Sequence, residues 1–356
     1  MGMLISPKAD RYFERVILQS PPMFHFSPRD WAKFKGELFV RSLGFNPPTS
    51  TGNDDSFEEE LRNQVDVQTI LDAQSMLTTW PNFLEGLAPV GPAGDGNKTL
   101  PCSLVEYYFH YPLPEHYKDI DIIIGYTRDE FNFFFPFLPD FHQMDDSMFV
   151  KTYFTHVFGR QYARKAYEIY KNQILPPFSP PSEVARYMCS DVMCRISVLL
   201  AAENFVRHGH KVHLYEWRYE SSDVENVIKA AHMVDAIFSW DNLEYWEGNP
   251  FLGPGDPFER DRIAKQVSQA IVAFANNSNP NHPGIPHWPS LDLNNPKGMV
   301  FDRELVVEND LYMNGLNAWK TVLKDYVQTP MFSVNPRPLK KKNYDHQLLI
   351  YSFMKI

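Results

Sequence analysis

The residues best placed to do chemistry are an acid and a histidine that each follow an apolar run. The first run is Asp121-Ile122-Ile123-Ile124-Gly125-Tyr126-Thr127, and it leads into Arg128-Asp129-Glu130. The second is Val212-His213-Leu214-Tyr215-Glu216-Trp217, and it precedes Ala231-His232-Met233-Val234-Asp235. An acid and then a His, each just past a strand, can form the last two members of a Ser-acid-His relay. The His takes and returns a proton, and the acid fixes its tautomer and offsets its positive charge. Spacing alone does not choose between Asp129 and Glu130. Asp235, three residues past His232, reads as a loop-ordering group. Neither Gly-x-Ser-x-Gly nor His-Gly-Gly-Gly occurs in the 356 residues, so the nucleophile and oxyanion loop of such a relay have no counterpart in this sequence.

Other candidate ligands read as structural. His208, His210 and His213 straddle a helix end and a strand start, with no adjacent acid or Cys, so no metal site is expected there. Cys189 and Cys194, on one predicted helix, lack a metal-knuckle spacing and read as small buried residues. Met1-Gly2-Met3-Leu4-Ile5-Ser6 fits a myristoylation pattern, here taken as a chance match inside a helix remnant.

These residues need a scaffold, and the sequence predicts one. Strands are expected at 15–20, 120–127 and 211–219, the first stopped by Pro21-Pro22. Helices are expected at 31–43, 57–77, 148–174, 184–208, 258–276 and 313–326. Strands alternating with long helices define an α/β layered domain over 1–330, followed by an irregular tail over 331–356. Three strands are few for a parallel sheet covered on both faces.

Composition sets further bounds. Apolar content of 44% with 22% charged residues is that of a folded chain. The 27 Phe, 18 Tyr and 7 Trp suit a deep apolar pocket as well as a core. A net charge of −10 argues against nucleic acid as a partner. Three cysteines make no disulfide framework. No apolar run is long enough to span a membrane, and the first residues do not form a signal peptide. The reading as written is cytoplasmic. It becomes secreted or ER-lumenal if an N-terminal part precedes Met1, and only then do the sequons at Asn97 and Asn276 matter.

Several segments, in order, resemble the type-B carboxylesterase/cholinesterase family of α/β-hydrolases, from about residue 4 to 326. Leu4-Ile5-Ser6-Pro7 with Phe13 to Ser20 is similar to the family's stretch after the nucleophile elbow. Pro89-Val90, Asp95-Gly96 and Leu100-Pro101 resemble its Pro-Val-x-Asp-Gly segment. Gly125-Tyr126-Thr127-Arg128-Asp129-Glu130 resembles its acid turn, and Ala231-His232-Met233-Val234-Asp235 its His loop. Phe274-Ala275-Asn276, Asn279-Pro280-Asn281 and Trp288-Pro289 resemble its ending. The resemblance implies an α/β-hydrolase fold truncated at the N-terminus. It makes Glu130 the relay acid and His232 the base, with Ser20 a polar group beside them. Phe83 would lie by the acyl pocket, and Phe133 and Phe134 would line the gorge. The implied reaction is hydrolysis of a small-molecule carboxylic ester through an acyl-serine, with no metal and no organic cofactor.

Departures from the family pattern shape the expectation. Phe131 and Met233 stand where the family has Gly, and both are expected to crowd the pocket. Glu85 falls at an acyl-pocket position that is often aromatic. Cys194 matches one half of a family disulfide, but Leu316 stands at the other half. The chain is therefore expected to be inactive alone and marginally stable, a fragment or pseudoenzyme candidate. Its strand at 16–19 is expected to form an open edge able to pair with a protein partner. The alternative is a non-catalytic, neuroligin-type interaction homologue.

Overall fold

The computed structural model describes residues 1–9, 12–22, 29–47, 55–77, 93–94, 99–102, 104, 107–108, 111–138, 140–220, 227–311, 315–317 and 319. Phe83, Glu85, the 89–96 motif apart from residues 93–94, and the 331–356 tail lie outside them.

A five-stranded sheet forms the centre, in the order β1-β2-β3-β4-β5. Its strands are β1 Arg15–Gln19, β2 Asp121–Thr127, β3 Val212–Trp217, β4 Lys297–Phe301 and β5 Val306–Asn309. β1, β2, β3 and β4 run parallel, and β5 returns antiparallel to β4. The sequence reading missed the β4–β5 pair. Both strands are short, and Gly298 interrupts the apolar run of β4. Among the described residues β1 pairs on one side, with β2.

β2 is apolar almost throughout because both of its faces are covered. Alternate side chains go to opposite sides. Ile122, Ile124 and Tyr126 join one core, whereas Ile123 joins the other with Tyr215 and Trp217 of β3. Gly125 sits opposite Tyr215 in register. A Cβ there would lie 2.2 Å from the Tyr215 ring, so glycine lets that ring cross β2.

Helices cover both faces. Before β2 come α1 Arg29–Ser42, α2 Asp55–Gln64 and α3 Val67–Leu77. Between β2 and β3 come α4 Thr155–Ile169, α5 Pro181–Ser190 and α6 Ile196–Arg207. The long helix expected at 148–174 is interrupted. Gly159 breaks α4 with φ 72° and ψ 160°, and wide turns flank it at Val150–Phe154 and Tyr170–Ile174. Pro181 occupies the first turn of α5, where a missing N–H costs nothing. A wide turn, Asp191–Arg195, joins α5 to α6. Beyond β3 come α7 Val234–Phe238 and α8 Pro257–Asn277. α8 is capped by Asp256, whose carboxylate accepts the Phe258 N–H. Among the described residues no helix is long and apolar enough to cross a membrane.

Candidate active site

The acid turn and the histidine loop meet at the C-terminal end of the sheet, where α/β folds place their sites. Backbone hydrogen bonds join them. Arg128 N–H donates to Trp217 O (2.9 Å), Asp129 N–H to Ala230 O (2.9 Å) and His232 N–H to Glu130 O (3.4 Å). The separation of acid and base is thus fixed by main chain.

Glu130 is fully buried and saturated with donors. Its Oε2 lies 2.6 Å from His232 Nδ1. Its Oε1 accepts the Ser20 hydroxyl at 2.6 Å and the Thr127 N–H at 2.8 Å. Because the carboxylate accepts, the neutral ring carries its proton on Nδ1, which leaves Nε2 free as a base. Burial works against both charges. The charge and hydrogen bond of His232, with Ser20 and Thr127, nevertheless hold the Glu130 carboxyl below its usual value. Burial likewise opposes the imidazolium, but Glu130, with a smaller effect from Asp235, raises the His232 pKa above 6.5.

Asp129 is committed elsewhere. It takes Arg128 at 2.8 Å and Arg186 of α5 at 2.6 Å. These ion pairs pin the turn from outside while Glu130 points in. Ser20, at the end of β1, is buried at φ 46° and aims its hydroxyl at Glu130 rather than at His232. Asp235 is buried, accepts the Tyr215 hydroxyl at 2.7 Å and lies 3.5 Å from Gln19 Nε2. Burial first, and then the Glu130 charge, push its pKa up to about 6. Phe133 stands edge-on to His232, with ring centroids 6.1 Å apart. Phe134 packs on Phe133 at 5.1 Å.

The two residues expected to crowd the pocket sit in different surroundings. Phe131 is fully buried, with its ring 5.3 Å from that of Phe141. Its N–H is held by Ser190 Oγ at 3.1 Å. Met233 is 47% exposed and sits at φ 73°, the left-handed region that favours glycine. Met233→Gly is therefore expected to stabilise the protein by up to about 1 kcal/mol. Urea melts of the two proteins test this, and a lower midpoint for the variant refutes it.

Sequence reasoning missed several neighbours. Cys194, read as a small buried residue and as the match to one half of a family disulfide, is buried and has Sγ 3.9 Å from His232 Nδ1. Burial and then the Glu130 charge push its thiol well above the usual range, so it packs here as a neutral group. Phe251 stacks on Phe133 at 5.0 Å. Neither position carries a pattern that spacing could have found.

Glu130, Cys194 and His232 present ligand atoms within 4.8 Å of one another. The 2.6 Å Glu130–His232 separation is a hydrogen bond. Two ligands on a tetrahedral zinc would stand about 3.3 Å apart, so this pair is spaced to share a proton. Among the described residues, the three clustered histidines do not converge. His208, His210 and His213 direct Nδ1 to three different carbonyls, those of Asn204, Ile120 and Pro289.

A mostly parallel sheet flanked by helices, with an acid after one strand and a His after the next, is the arrangement of the α/β-hydrolase class. The chain belongs to the carboxylesterase family, whose model matches residues 2–319. It is 28% identical over 300 residues to phenmedipham hydrolase of Pseudarthrobacter oxydans, covering 84% of this chain and 56% of that one. It is 25% identical over 184 residues to carboxylesterase 1C of Mus musculus, covering 49% of this chain and 32% of that one. Its fold is similar to that of the Geobacillus stearothermophilus carboxylesterase EST55 at pH 6.2, with a TM-score of 0.70 at 22% identity. That match covers 89% of this chain and 60% of the other. The chain thus spans little more than half the length of these two fuller matches.

Proposed function

We propose that these residues form the acid-and-base portion of a serine-type carboxylic ester hydrolase. Glu130 orients His232, and His232 Nε2 takes the proton of a serine nucleophile and returns it to the leaving alcohol. The observation that carries this reading is the 2.6 Å Glu130–His232 contact with Glu130 fully buried. Burying a carboxylate is costly unless it is paired and hydrogen-bonded, and His232, Ser20 and Thr127 supply those partners to Glu130. The substrate class is a small-molecule carboxylic ester, and no cofactor takes part. Ser20 faces Glu130 and the sequence holds no Gly-x-Ser-x-Gly, which supports the expectation that the 356 residues alone do not turn over esters.

The test uses p-nitrophenyl butyrate. The chain alone should show no turnover above the blank. The chain joined behind the Gly-x-Ser-x-Gly-bearing part of a related carboxylesterase should turn over, and His232→Ala should abolish that activity. A folded, inactive fusion would sink the reading.

A second reading is a non-catalytic, neuroligin-type protein-interaction homologue. Met233 at a left-handed position and, among the described residues, the one-sided pairing of β1 favour it. An inactive fusion together with a stable monomeric chain that captures a strand-donating partner would support it.

A further inference from the structure

We infer that the wide turn Asp191–Arg195 clamps the acid turn, and that Ser190 and Arg195 are positioning residues for the Glu130–His232 pair. The inference deepens the ester-hydrolase reading and rests on it for the role of that pair. A peptide unit is planar, so its C=O and its N–H move together. Two such planes flank the Asp129–Glu130 peptide. The Arg128–Asp129 plane is held at its N–H by Ala230 O (2.9 Å) and at its C=O by Arg195 Nη2. The Glu130–Phe131 plane is held at its C=O by His232 N–H (3.4 Å) and at its N–H by Ser190 Oγ (3.1 Å). In each plane one end is tied to the histidine loop and the other to the segment that joins α5 to α6. A plane held at one end can still turn about that bond, whereas a plane held at both cannot flip. The direction that sends Glu130 to His232 and Asp129 to Arg186 is thereby fixed from two sides.

The width of the turn lets one segment reach both planes. Residues five apart stand about 140° apart around an α-helix, so Ser190 and Arg195 would face different neighbours. Here Ile196 N–H donates to Asp191 O, five residues back, and the wider loop brings Arg195 round to the side of Ser190. Both side chains are buried. Arg195 is itself locked. Its Nη1 lies 2.7 Å from Asp191 Oδ1, and its guanidinium stands 4.8 Å from the Tyr187 ring centroid. Asp191 takes the Tyr170 hydroxyl at 2.5 Å, and the Tyr170 oxygen accepts the Trp319 indole N–H. A planar fork serves the carboxylate with one nitrogen and the Arg128 carbonyl with the other.

The test compares the full chain with Ser190→Ala and with the paired change Arg195→Met and Asp191→Leu. The pair removes one charge of each sign and leaves neither uncompensated. Imidazole 15N shifts read the His232 pKa and tautomer, and urea midpoints read the fold. Each variant is expected to lower the His232 pKa by roughly half a unit or more, because Glu130 no longer keeps its aim. The share of ring protonated on Nε2 should rise with it. Phe274→Leu, a second-core change beside His213, should lower the urea midpoint and leave His232 unmoved. In an active fusion both site variants should lower kcat roughly tenfold with KM within about twofold. Parent-like titration and tautomer in Ser190→Ala, or in the folded paired variant, would overturn the clamp. So would an equal movement of His232 in Phe274→Leu, which would mark a general loosening. Ser190→Ala loses only a hydroxyl, so its reading stands even where the paired variant does not fold. The His232 shifts need no turnover, so an inactive fusion counts against the hydrolase assignment and not against the clamp.

Discussion

Glu130→Gln is expected to lower the pKa of His232 by roughly 1–3 units, since an opposite charge at contact distance shifts a titration by that much. Burial, which already opposes the imidazolium, would then prevail. The amide also imposes a tautomer. Its oxygen can keep the Ser20 and Thr127 donors, which turns its NH2 toward His232 Nδ1. Nδ1 must then accept, the proton moves to Nε2, and the base is lost. Imidazole 15N shifts report both effects. An unchanged titration and tautomer would show that Glu130 does not govern His232. Asp235→Asn should produce a smaller drop, because Asp235 is the weakest of the named influences on the ring.

The same pair sets a pH window for stability. The Glu130 pKa is lowered on folding, so its contribution is present above 4.5 and is lost as pH falls through the folded value. The His232 pKa is raised, so its contribution is complete below 6.5 and is lost as pH rises through the folded value. The pair therefore stabilises the fold most between about pH 4.5 and 6.5. Asp235 works the other way. A buried acid raised to about 6 costs stability progressively as pH climbs from 3.8 to that value.

Arg195→Ala is expected to cost about 3–5 kcal/mol, the usual penalty for breaking a buried ion pair from one side. The Arg195 side chain is 2% exposed and that of its partner Asp191 is 0%, with Nη1 and Oδ1 2.7 Å apart. Arg195 also lies over the Tyr187 ring at 4.8 Å and donates to the Arg128 carbonyl at the acid turn. Asp191 is tied further by the Tyr170 hydroxyl at 2.5 Å. Removing the guanidinium strips a buried carboxylate of its counter-charge and loosens the turn that carries Glu130. Arg195→Met should fare little better, because it fills space but leaves Asp191 charged. Arg195→Met with Asp191→Leu should recover much of the loss. Urea midpoints decide the matter, and a single-variant loss below about 1 kcal/mol would contradict the buried-pair account.

The sequence by itself determined the local parts. The apolar run of β2, bounded in length and buried on both faces, marked a parallel strand. The order of acid turn, His loop and family motifs fixed the class. The β4–β5 pair escaped because each strand is short and its apolar pattern broken. Only the tertiary structure decided the rest. Asp129 and Glu130 are adjacent in sequence, and what separates them is direction: Asp129 faces Arg128 and Arg186, whereas Glu130 faces His232. Cys194, Tyr215, Gln19 and Phe251 reach the site from a helix turn, two strands and a loop far apart in the chain. Periodicity reports which face of one element is buried. Which side chains of different elements touch depends on how those elements pack, and that information is not local to any stretch of sequence.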